Sequence, residues 1–205
     1  MNGRKVVVVS AGIGVPSSTR LLADRLAAAT REALRARSVD AEIEVIELRE
    51  LAHEITDNLL TGFPSGRLRA AIEAVTGADG LIAVTPVFSA SYSGLFKSFF
   101  DVLERHALTG MPVLIAATGG TERHSLVLEH AMRPLFAYLR TIVVPTAVYA
   151  APSDLRSLGD GSRALIERVD LAGGELAALI AQRSPAERPG QFDGPVPFED
   201  LLSGG

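Results

Sequence analysis

No cysteine occurs in the 205 residues. That removes disulfides, thiolate metal ligands and a cysteine nucleophile together, and it fits a reducing compartment, so a cytoplasmic location is expected. Clusters of basic charge are missing as well. Lys and Arg are scattered and the formal net charge is −4, which leaves neither a stripe for nucleic acid nor a polybasic patch for a membrane surface. Long apolar runs are also lacking. The opening MNGRKVVVV imitates the charged start of a signal segment, yet Gly12, Gly14 and Pro16 cut the run short, and it reads as a first strand. His53, His106 and His130 show no metal-ligand spacing, and neither a Ser/His/acid constellation nor an internal repeat is visible. What is present is 47% hydrophobic residues in a chain of single-domain length, which points to one α/β domain acting on small molecules.

Short apolar runs alternate with longer helical patterns. Lys5–Val9, Ile43–Leu48, Leu81–Val84, Val113–Ala117 and Thr141–Ala150 are each about a strand long and rich in Val and Ile. Between them, Leu22, Leu26, Ala29 and Ala33 recur at helical spacing. Weaker helical patterns cover Arg67–Val75, Leu95–His106 and Ser125–Leu139, and a last helix is expected over Ser162–Gln182. Five strands apolar on both faces and joined by helices imply a parallel sheet covered on both sides. Pro145 cannot donate to a sheet ladder, so the fifth run belongs at an edge, as it is in the doubly wound order 2-1-3-4-5.

The loop after the first strand, SAGIGVPSSTR (Ser10–Arg20), lies at the carboxyl edge of such a sheet, where ligands bind. A Walker loop needs Gly-Lys-Ser/Thr, and no lysine is present here. A dinucleotide fingerprint needs a third glycine where Ser17 stands. The remaining reading is an anion cradle. Glycines permit the tight turn, and Ser10, Ser17, Ser18 and Thr19 surround an anion at a helix N-terminus, where backbone N–H groups and the helix dipole add positive potential. A terminal monophosphate suits that cradle. Helix capping by Ser17 and Ser18 is the plainer alternative.

The second informative loop is TPVFSASYSGLFKSFFDVLE, Thr85–Glu104. Its Thr-Pro-x-aromatic start, small polar residues, Ser-Gly, apolar pair, Lys and later Asp resemble the NAD(P)H-dependent FMN reductases of the flavodoxin-like superfamily. A first loop rich in Ser and Thr and a third, TGGTERHS (Thr118–Ser125), follow the order of that family. The resemblance runs from about Lys5 to Ile180 and is closest to the subgroup supplying reduced flavin to two-component monooxygenases, luciferase-like and alkanesulfonate-type partners included. It implies a three-layer flavodoxin-like fold, FMN and NAD(P)H as the redox pair, and hydride transfer from nicotinamide to flavin with no catalytic protein acid or base. Ser10, Ser17, Ser18 and Thr19 would hold the FMN phosphate, with Arg20 as a possible auxiliary. Pro86, Val87, Phe88 and Ser89 would line the ring and ribityl side, and Thr118, Gly119 and Gly120 the pyrimidine edge. Where many relatives carry Tyr-Asn or Glu-Tyr, this chain has Val87-Phe88 and lacks the hydroxyl. A quinone or azo-dye reductase with resident FMN, and a flavodoxin-like electron carrier, are the alternatives.

Other side chains are read more plainly. Lys97 and Asp101, four apart, form an intrahelical pair, and His124 beside the third loop is a polar surface residue or a flavin neighbour. Leu95, Phe96, Phe99, Phe100 and Leu103 make the third helical segment apolar almost all round, which favours a homodimer or homotetramer interface over a deep core helix. Residues 1–183 are expected to form the FMN-binding domain. The Pro/Gly-rich tail, Ser184–Gly205, holds Phe192, Val196, Phe198, Leu201 and Leu202 and is expected to dock on the body or on a partner subunit.

Overall fold

The computed structural model describes residues 3–156 and 160–183. Strand β1 (Arg4–Ser10) lies inside the sheet, and its wholly buried Val6 to Val9 must be covered on both faces. It pairs in parallel with β2 (Ala41–Glu47) on one side and with β3 (Gly80–Phe88) on the other. β3 continues to β5 (Pro112–Thr118), again parallel, and carries a two-residue antiparallel partner, β4 (Ser91–Tyr92). β5 is flanked by β6 (Ile142–Val143) and β7 (Val148–Ala150), both parallel to it. Together they give the path β2-β1-β3-β5-β6. The expected order 2-1-3-4-5 is therefore present, its fifth strand divided into β6 and β7 by the segment that contains Pro145. A proline lacking an N–H interrupts the ladder at the edge, where the interruption is tolerated.

Helices cover both faces. On one lie α1 (Ser18–Arg35) and α7 (Asp160–Gln182), packed over Val6, Val8, Ile82, Val84 and Leu114. Their backbones approach closely at Gly173, where a Cβ would stand 2.9 Å from the Thr30 amide nitrogen. On the other lie α2 (Ala52–Thr61), α3 (Gly66–Thr76), α4 (Gly94–Asp101) and α5 (Arg133–Tyr138). The short α6 (Pro152–Arg156) follows β7. Among the described residues, no helix is long and apolar enough to cross a membrane. The tail from Ser184 lies outside the described residues, and its expected docking with it.

The structure alters three expectations. Helix α2, entered through a 3-10 turn at Leu48–Leu51, was not foreseen; within it only Ile55 and Asn58 are buried, too thin an apolar stripe to read. The segment Ser125–Leu139 is not one regular helix. A π-helical turn at Leu128–Met132 precedes α5, whose first turn holds Pro134, a residue with no N–H to give to an upstream carbonyl. Finally, the apolar surplus of the third helical segment is satisfied inside the chain. Phe96, Phe99 and Phe100 are buried, and Phe96 and Phe100 stack against Phe136 with centroids 6.2 and 5.0 Å away. α4 is thus the deep core helix, and its phenylalanines are no argument for a subunit interface.

Candidate functional site

Register places the carboxyl ends of five strands side by side. Ser10 is opposite Glu47 of β2 and Val84 of β3, Pro86 is opposite Thr118, and Thr118 is opposite Ala150. The three loops leaving β1, β3 and β5 converge there on one cleft of about 230 Å³. Ser18, Pro86, Val87, Phe88, Thr118, Gly119 and Gly120 line it, joined by Ala150, Pro152 and Leu155. Ala150 ends β7, Pro152 and Leu155 follow it, and none of the three carries a motif. Their only signal in the sequence is position at the same sheet edge.

The first loop leads into the N-terminus of α1 through one capping hydroxyl. Ser17 caps α1, its Oγ accepting from the Arg20 amide at 3.1 Å. That leaves its own proton free to donate. The capping reading thus holds for Ser17 without excluding a ligand. Gly12 is required by proximity: a Cβ there would lie 2.0 Å from Ser17 Oγ and 3.0 Å from Thr19 Cβ. Ser10, 1% exposed, has an Oγ with no hydrogen-bond partner. A buried hydroxyl left unpaired costs about 1–3 kcal/mol, so Ser10, at the carboxyl end of β1 ahead of the loop into α1, fits an absent anionic group. Thr19 is committed differently. Its hydroxyl and that of Thr118 lie 2.8 Å apart, both buried, and tie the first loop to the third.

The second loop is a tight hairpin. Val87 pairs with Tyr92 and Phe88 with Ser91, leaving Ser89 and Ala90 as a two-residue turn, both at positive φ (47° and 67°). Ser89 stands at the exposed tip and is not brought to the cleft lining, whereas Phe88, 45% exposed, is. Thr85, which the sequence reading passed over, holds the hairpin. Its Oγ1 donates to the Pro86 carbonyl at 3.0 Å and accepts from the Ser93 amide at 3.0 Å, and Ser93 in turn caps α4.

The third loop is held by Tyr149 of β7, which the sequence reading also missed. Its hydroxyl donates to the Thr121 carbonyl at 2.6 Å. Burial, and then the Asp154 carboxylate, push the phenol above its ordinary range and keep it a donor. Gly119 is glycine for this reason, since a Cβ would sit 2.1 Å from the Tyr149 hydroxyl. His124 is exposed in a 3-10 turn and does not line the cleft. Lys97 and Asp101 pair within α4 at 2.6 Å, as a surface ion pair.

Arg20 does not face an open site. It meets Asp24 at 2.8 Å and Glu47 more closely still, and Arg49 meets the other Glu47 oxygen at 3.1 Å. The hydrogen bond to Asp24 is the main reason its guanidinium is held above its ordinary pKa.

Comparison with known proteins agrees with this geometry. Residues 4–155 match the family model described as NADPH-dependent FMN reductase. The chain is 39% identical over 180 residues to an FMN reductase (NADPH) of Pseudomonas aeruginosa, covering 88% of this chain and 94% of that one. It is 38% identical over 176 residues to the NADH-dependent FMN reductase SfnF of Pseudomonas fluorescens, covering 86% and 91%. Among solved structures, an oxidoreductase from Corynebacterium diphtheriae superposes with a TM-score of 0.87 at 45% identity, over 90% of this chain and all of that one.

Proposed function

Since the chain belongs to the NADPH-dependent FMN reductase family, we propose that the cleft where its three loops meet is the flavin site, and that the reduced flavin is released to a partner monooxygenase. The chain is an NAD(P)H:FMN oxidoreductase. FMN, when bound, supplies a two-electron centre that takes a hydride from the nicotinamide. The residues present fit FMN. Ser10 Oγ, Ser17 Oγ, Ser18, Thr19 and the first amides of α1 would receive its phosphate. Pro86, Val87 and Phe88 would face the ring and ribityl chain, and Thr118, Gly119 and Gly120 the pyrimidine edge, while Ser89, at the hairpin tip, lies outside the lining. The observation that carries this assignment is the convergence of these loops on one cleft beside an unpaired buried hydroxyl.

The protein's own part is orientation. Thr85 fixes the hairpin beneath the ring position, Tyr149 fixes the third loop, and the Thr19–Thr118 contact sets the spacing between phosphate and ring sides. Among the described residues, no side chain lining the cleft is an acid or a base; the hydride chemistry would be carried by the cofactors. Neutral donors at the phosphate favour exchangeable flavin, the behaviour a partner oxygenase needs. We further take the enzyme to be a cytoplasmic homodimer or homotetramer. Support for assembly is the small cleft, below the usual 300–1,000 Å³ of ligand pockets, with Ile13 and Val15 exposed in the adjoining first loop and Phe88 exposed in its wall.

The test is NADH and NADPH oxidation with and without added FMN, beside the spectrum of the purified protein. Oxidation that needs free FMN and forms reduced FMN in equal amount is expected. Oxidation supported by a quinone but not by free FMN would instead assign the resident-flavin alternative, and no oxidation with FMN present would assign a carrier.

A further inference from the structure

Two guanidinium groups and two carboxylates sit beside the phosphate cradle, and their charges sum to zero. Glu47 is opposite Ser10 in the β1–β2 register, so its carboxylate flanks the strand end that holds the unpaired hydroxyl. Each of its oxygens takes one arginine, Oε1 from Arg20 and Oε2 from Arg49. Asp24 takes the Arg20 Nε from one turn along α1. Arg20 is anchored to the cradle through its own backbone, since its amide donates to Ser17 Oγ. The charge of Arg20 is therefore drawn sideways, toward the end of β2.

We propose that Glu47 is a positioning residue that keeps flavin exchangeable, by holding Arg20 away from the phosphate and cancelling its charge there. The inference rests on the reading of the α1 N-terminus as the phosphate site and goes beyond it. A dianion beside a free arginine would be held by a charge-assisted bond as well as by neutral hydroxyls. With Glu47 and Asp24 in place, only the neutral donors and the helix end remain. Turnover by a reductase that hands on its product needs that weaker grip.

The experiment measures FMN and riboflavin dissociation constants by quenching of flavin fluorescence, for the wild type, Glu47→Gln, Asp24→Asn, and Glu47→Gln with Arg20→Ala. Glu47→Gln keeps the side-chain shape and should tighten FMN by about three- to tenfold, the range of one or two partly exposed charges, with riboflavin unchanged. Asp24→Asn, at a more exposed position, should tighten FMN less. The gain should fade as salt is added, and it should vanish when Arg20 is also removed. Equal gains for FMN and riboflavin, a gain that survives Arg20→Ala, or no gain in either single variant would overturn the proposal. A wild type that binds FMN no better than riboflavin would instead remove the phosphate site itself, and is recognisable before any variant is made.

Discussion

Adding a methyl group at Gly119 and removing the oxygen of Tyr149 should be harmful separately and nearly neutral to each other's damage together. In Gly119→Ala the new Cβ stands 2.1 Å from the phenol oxygen, so the ring must move and its bond to the Thr121 carbonyl is lost. The lost bond is worth about 1 kcal/mol, and forcing the ring aside adds about 1–2 kcal/mol. The single variant should therefore lose about 2–3 kcal/mol. Tyr149→Phe loses only the hydrogen bond, about 1 kcal/mol. In the double variant the nearest ring atom is Cζ at 3.1 Å and the next neighbour is Val87 Cβ at 3.5 Å, so a shift of a few tenths of an ångström suffices. Its total loss should stay near 1–1.5 kcal/mol, a coupling of about 1.5–3 kcal/mol between the two sites. Urea unfolding of the four proteins measures this, with the apparent FMN constant as a parallel reading of third-loop position. Losses that simply add, to within about 0.5 kcal/mol, would show that Gly119 is not glycine because of Tyr149.

Ser10→Ala removes an unpaired buried hydroxyl, so stability should hold or rise by up to about 1 kcal/mol while FMN affinity drops by about 1–2 kcal/mol and riboflavin affinity does not; Ser17→Ala should differ by also costing about 1 kcal/mol of stability through the lost cap. Calorimetry with both flavins separates the two. Phe99→Glu places a carboxylate in the aromatic core and should cost more than about 4 kcal/mol, seen as loss of folded protein; a folded variant of smaller particle size would reinstate the interface reading of α4. Ala90→Gly should stabilise by roughly 1 kcal/mol, because alanine is disfavoured at a φ of 67°, and an unchanged urea midpoint would contradict it. His124→Ala and Lys97→Ala should lower turnover by less than about tenfold, and a thousandfold loss at His124 with unchanged flavin affinity would reveal a catalytic side chain outside the cleft lining.

The sequence was most legible where one residue type admits a single conformation or role. Pro145 marked the sheet edge and the valine run marked a strand inside the sheet, whereas Gly12, expected for a tight turn, and Gly119, expected for approach to the flavin ring, are hemmed in by Ser17 and Tyr149. Hydroxyls were harder, because Ser and Thr serve as caps, braces and ligands alike. Ser17 proved to be a cap with a free proton, Thr19 a brace to Thr118, and Ser10 a buried hydroxyl with no partner. Apolar residues carried less information about where they are buried than that they are. The phenylalanines of α4 read as interface or as core, and Phe136, a ring from α5 remote in the chain, settles the matter only in three dimensions. Tyr149 and Glu47 had no local signature, since each acts on a loop that is remote in the chain and adjacent across the sheet.

The close seat of α7 has a consequence for how the protein is made. Gly80, at the start of β3, leaves room for Ile180, whose Cδ1 would stand 2.4 Å from any Cβ there, and Gly173 lets the same helix lie against α1. One face of the sheet is thus finished by the last helix described. Translation at about 5–20 residues per second leaves on the order of ten seconds between the emergence of β3 and that of α7, during which Val6, Val8, Ile82, Val84 and Leu114 have no complete cover. The nascent chain therefore carries a sticky apolar sheet face while still tethered to the ribosome, and a message that ends early within α7 yields a chaperone client instead of a slightly shortened enzyme.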